Sequence, residues 1–165
     1  MQIPKYNNIF EYINKLRTRL YLLIALPIIV FGFLYLEFSR GLSGKKPESL
    51  NFDALTSAML VAAFASTVFA AYYYFHQQIK NVRELSECKQ QLDAYFKISM
   101  VRYYIFLAGV VVVTLAYWLT YNTYFASFFI GYMFLISLNN PNMYRVFRHL
   151  RLSKQAREKL ISQEF

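Results

Sequence analysis

A chain of 165 residues that is 57% hydrophobic and 19% aromatic carries more apolar surface than a soluble domain of its size can hide. Its formal charge of +9 would point to nucleic acid in a soluble protein, but the polar stretches are too short to build a folded reader, so no nucleic-acid partner is expected. The single Cys88 excludes an internal disulfide and a Cys-based zinc site.

Residues 1–19 place Ile9, Phe10, Ile13 and Leu16 among polar neighbours at roughly helical spacing, which predicts a short amphipathic helix at a membrane surface. The uncharged run 20–36 follows, closed by Glu37. It is too long for the apolar core of a signal peptide and lacks a small-residue cleavage site, so it is expected to be a retained anchor. Pro27 withdraws one backbone donor from this span and predicts a bend near Leu23. Residues 38–53 hold two of the five glycines and one of the four prolines and read as a loop, with Asn51 or Asp53 as a cap for the next helix.

The second span, 54–75, has an uncharged core in which Ala54, Ala58, Ala62, Ser66 and Ala70 recur every four residues. Lipid supplies little hydrophobic drive between helices, so small residues mark where two helices can approach closely. This stripe is the candidate helix-packing face, within the chain or between chains. Residues 76–102 form the one long polar stretch between two hydrophobic halves and contain no Gly or Pro. They read as helical, with a turn near 86–93, and they join the end of one unit to the start of the next.

The third span, 103–120, ends on the interfacial pair Tyr117 and Trp118. A tight turn at 120–123 leads to the fourth span, 124–141, apolar only to Leu138 before Asn139, Asn140 and Pro141. Residues 142–165 read as a basic helix.

Short loops that stay on the cytoplasmic side are enriched in Lys and Arg. With four spans, residues 1–19, 76–102 and 142–165 share one side and carry 15 of the 18 Lys and Arg, against Arg40, Lys45 and Lys46 on the other. Both ends and the connector are therefore expected in the cytoplasm, by the positive-inside rule. The Phe, Tyr, Ile, Lys and Asn bias is that of a bacterial protein, which makes the inner membrane the expected location.

The two halves also align. At an offset of 83, Tyr12, Arg19, Tyr21 and Ala25 meet Tyr95, Arg102, Tyr104 and Ala108; at an offset of 68, Lys80, Arg83 and Leu92 meet Arg148, Arg151 and Leu160. The fold class expected is thus all-α, a four-transmembrane-helix bundle built from two parallel helical-hairpin repeats with cytoplasmic helical extensions.

Candidate chemistry is sparse. The cores of the four spans contain no ionisable group of the kind that marks a proton path. Glu37 and His76 lie at opposite ends, while His76 and His149 make a poor metal set without a third ligand. Tyr72, Tyr73, Tyr74 and Phe75 fit an interfacial belt. No phosphate loop, nucleophile elbow or zinc-protease helix is present. Two features stand out. Ser137, Asn139, Asn140 and Pro141 form a polar break, either a helix end or the lining of a polar cavity. Arg145, Arg148, Arg151 and Arg157 form a juxtamembrane cluster suited to anionic lipid or to a partner.

The function expected from this pattern is a small, non-catalytic subunit or scaffold of a membrane complex, as a homo- or hetero-oligomer, with no cofactor and no metal. The competing expectation is a small channel or uncoupled carrier with its pathway near Asn139.

Overall fold

The computed structural model describes residues 6, 8–40, 54–85, 87–152 and 154–162, with side chains left aside at 54, 56, 155, 156 and 159. The described residues fold into six helices and no strand: α1 (Ile9–Ser39), α2 (Ala54–Arg83), α3 (Cys88–Thr120), α4 (Thr123–Leu138), α5 (Met143–Leu150) and α6 (Lys154–Ser162). The loop expected at 38–53, with Lys45, Lys46 and its candidate caps, lies outside the described residues beyond Arg40.

The Asn8 side chain accepts the Glu11 amide at 2.8 Å and opens α1. From there the helix runs 31 residues without interruption. The amphipathic segment expected as a separate surface helix is instead the first turns of the membrane helix itself. The reason is local: nothing between Leu16 and Leu20 breaks a helix, and Ile9, Tyr12, Ile13, Leu16 and Leu20 make one continuous buried stripe. The Tyr12 hydroxyl fixes that stripe by donating to the Leu92 carbonyl of α3 at 2.8 Å.

The connector is helical up to Arg83 and again from Cys88, an interruption slightly earlier than the turn expected near 86–93. Gln91 braces the break by donating its side-chain amide to the Leu85 carbonyl at 2.6 Å. The C-terminal segment, expected as one helix over 142–165, is divided into α5 and α6. Arg151 takes a left-handed φ of 53° and the Leu152 amide bonds the Phe147 carbonyl at 3.2 Å, which closes α5 in the usual way for a helix end.

Helix α3 is the centre of the fold and packs against α1, α2 and α4. Half of its most apolar window is buried, against 17% for α1 and 11% for α2, so those two helices sit at the rim. Close approach of α4 to α3 depends on Gly109, because a Cβ there would lie 2.5 Å from the Tyr132 ring. Helix α1 closes on the same pair, with Phe31 stacked on Phe129 at 3.9 Å between centroids. Tyr121, with a φ of 51°, reverses the chain after α3, and Asn122 caps α4 by accepting the Tyr124 amide at 2.9 Å.

Helices α1, α2 and α3 are long and apolar enough to cross a membrane. Helix α4 has 16 residues, about 24 Å of rise against a hydrocarbon layer of about 30 Å, and stops at Asn139 rather than continuing to Pro141.

Candidate functional site

The polar break after α4 is where the four long elements meet. The Asn139 side-chain amide donates to the Tyr72 hydroxyl of α2 at 2.7 Å. Its backbone carbonyl accepts from the Tyr103 hydroxyl of α3, also at 2.7 Å. Asn140 donates to the Tyr21 hydroxyl of α1 at 3.2 Å, and Arg17 of α1 reaches the Pro141 carbonyl at 3.3 Å. The Ser137 carbonyl, which Pro141 cannot serve, takes the Asn140 amide at 3.1 Å. Carbonyls freed by a proline in an apolar setting are costly unless another donor takes them. Here side chains and the turn itself supply those donors.

Beside this break lies an open cavity of about 660 Å³, lined by residues from α2, α3, the end of α4, and α5. Four arginines line it: Arg83 from α2, Arg102 from α3, and Arg145 and Arg148 from α5. Its lining includes His76 and His149 and, among the described residues, no acidic residue. Helix α5 is held at the cavity by Arg83, whose Nε donates to the His149 carbonyl at 2.7 Å, and by Arg145, which donates to the Leu138 carbonyl.

Arg102 is the most unusual of the four. It is only 4% exposed. Its guanidinium lies 4.1 Å from the centroid of the Phe75 ring and 5.3 Å from that of Tyr103. Its Nε has no hydrogen-bond partner, and no carboxylate among the described residues pairs with it. A buried cation gains from an aromatic face, but a ring does not replace the hydrogen bonds that water would give.

His149 contacts the Tyr95 hydroxyl through Nδ1 at 2.9 Å and packs against Phe75. Burial, then the positive charges of Arg102, Arg148, Arg83 and Arg145, push its pKa down to about 4, so it is neutral at pH 7. The cavity therefore presents four guanidinium charges, each a planar fork suited to carboxylate or phosphate oxygens.

The residues singled out in the sequence are thus distributed unevenly. Asn139, Arg145 and Arg148 come together at the cavity, while Ser137 and Asn140 belong to the adjoining break. Arg151 is exposed outside the cavity, and Arg157 bonds the Leu152 carbonyl at 2.9 Å. Among the described residues, no other helix packs on the small-residue face of α2. Ala58, Ala62, Ser66 and Ala70 are exposed, and α2 packs with the opposite side, where Phe75 meets Tyr95 of α3 and Phe64 meets Phe128 and Tyr132 of α4. The side chain of Ala54 lies outside the described residues. His76 and His149 line the same cavity, and among the described residues there is no cluster of three potential metal ligands.

Arg83 and Arg102 were legible in the sequence only as topology charges. Their role in the cavity depends on α5 folding back over the ends of α2 and α3, which local pattern does not encode. The one sequence signal was position: Arg102 stands immediately before an uncharged run, between Tyr95 and Tyr103, on what proves to be the buried face.

No protein-family model, curated protein or solved structure matches this chain. Its helices are apolar and long enough to indicate an integral membrane protein.

Proposed function

We propose that the chain is a four-span protein of a bacterial inner membrane, with residues 1–19, the α2–α3 junction and α5–α6 on the cytoplasmic side, and that it serves as a small non-catalytic subunit or scaffold of a membrane assembly. The observation that carries this reading is the orientation of α2. It packs one side on α3 and turns a face of Ala58, Ala62, Ser66 and Ala70 away from the rest of the chain. Small residues at that spacing permit close backbone approach by another helix in lipid. The partner helix would come from a second copy or from a different membrane protein.

Purification in mild detergent tests the idea. The expected result is an assembly larger than one chain, which Ala62→Leu together with Ser66→Leu dissociates without unfolding the protomer. A single-chain species unaffected by both substitutions would contradict the reading.

A second reading has one observation in its favour: the polar break at Asn139 adjoins a cavity of about 660 Å³ rather than solid protein. A channel or uncoupled carrier would use that cavity as a vestibule, and its four arginines would select anions. Anion flux through liposomes containing this chain alone would favour the carrier over the subunit.

A further inference from the structure

We propose that the arginine-lined cavity is a binding site for the phosphate group of an anionic membrane lipid. The inference rests on the membrane reading above and adds a ligand to it. Three observations combine. Arg83, Arg102, Arg145 and Arg148 converge from three helices on one space whose lining includes no acidic side chain among the described residues. Arginines brought together without a counter-charge repel one another, and the arrangement gains most from an anion between them. Arg102 supplies the second observation. It is only 4% exposed, lines the cavity and pairs with no carboxylate among the described residues, so the site holds a buried positive charge that those residues leave without a counter-ion.

The third observation is location, and it selects a lipid over a free anion. The cavity sits where the apolar parts of α2 and α4 end, and its wall continues onto Phe69, Tyr72 and Leu138, all of them exposed. An ion that entered from solution would need only the arginines. A phospholipid would place its phosphate among them while its acyl chains leave along this apolar wall. Basic pockets between membrane helices on the cytoplasmic side hold anionic headgroups on this principle. His149, neutral and bonded to Tyr95, braces the wall. Asn139 offers a polar edge where the phosphate would meet the glycerol.

The test is native mass spectrometry of the full chain in nonionic detergent, with phosphatidylglycerol, phosphatidylcholine or inorganic phosphate added in turn. The expected result is one phosphatidylglycerol retained per chain, at least about tenfold more tightly than phosphatidylcholine, with inorganic phosphate unable to displace it at millimolar concentration. Arg145→Gln with Arg148→Gln should weaken retention at least about tenfold, since each charge near an anionic phosphate contributes appreciably. Should that pair fail to fold, Arg148→Gln alone, at an exposed position, should still weaken it about threefold or more. Arg151→Gln, exposed outside the cavity, should change it less than about twofold.

Equal retention of the two lipids would overturn the proposal, as would an Arg151→Gln loss as large as that of the cavity variants. Displacement by inorganic phosphate would replace the lipid with a free anion. Fractionation separates this outcome from failure of the membrane reading. A chain recovered without detergent in the soluble fraction would remove the membrane, whereas a membrane-extracted chain that ignores phosphatidylglycerol removes only the lipid.

Discussion

Gly109 and His149 show how much of this molecule depends on single side chains. Gly109 lets the Tyr132 side chain rest against the α3 backbone, and an added Cβ would lie 2.5–2.8 Å from two ring carbons and the hydroxyl oxygen of Tyr132. Gly109→Ala should therefore push α4 away from α3 and cost about 1–3 kcal/mol, as overpacking does. Thermal unfolding in detergent checks this, and pairing it with Tyr132→Leu should restore part of the loss because the two residues share one contact. For His149 the sign is set by its pKa of about 4 in the folded chain against an ordinary 6.5. Between those values the unfolded chain binds the proton and the folded chain does not. Stability is thus full above about pH 6.5 and falls as the pH drops towards 4, where the loss levels off. His149→Phe should flatten that part of the profile in a pH series of unfolding curves. An anion held among the arginines would reduce the repulsion on His149 and raise its folded pKa towards the ordinary value, so the loss would be smaller and would level off at a higher pH.

The helices divide into those that sequence pattern describes well and those that long-range packing defines. The uncharged runs predicted α1, α2 and α3, and the break-free polar connector proved helical on both sides of 84–87. The turn expected at 120–123 is present, and the structure shows Asn122 capping α4 there, a role the sequence reading did not assign. The join between the amphipathic start of α1 and its membrane part was not legible, since polarity changes there while the backbone does not. The split of the C-terminal helix was equally hidden, because Arg151 adopts a conformation more typical of Gly. The polar break was visible as Asn139, Asn140 and Pro141, yet its partners Tyr21, Tyr72 and Tyr103 come from three other helices. Asn139→Leu with Asn140→Leu removes the bonds to Tyr72 and Tyr21. About 0.5–1.5 kcal/mol of stability should be lost per bond. Burial also repeats: Tyr12, Ile13, Leu16 and Leu20 in α1 and Tyr95, Phe96, Ser99 and Tyr103 in α3, 83 residues apart, are all buried. Two hairpin units of common origin would produce that match.

For the whole molecule, the four-span arrangement turns on whether α4 crosses the bilayer. Three helices are long enough by themselves; α4, at 16 residues, would need Asn122 and Asn139 close to the two interfaces. Charge favours the crossing, because it leaves 15 of the 18 Lys and Arg on one side. The arginine cavity depends on it as well, since Arg145 and Arg148 reach Arg83 and Arg102 only when α5 lies at the same end of the bundle as the α2–α3 junction. Paired reporter fusions at residues 46 and 160 test this directly. The account predicts that a reporter at 46 is active on the outer side and one at 160 in the cytoplasm. Both reporters on the outer side would mean that α4 does not cross, and would contradict the four-span arrangement and the cytoplasmic lipid site together.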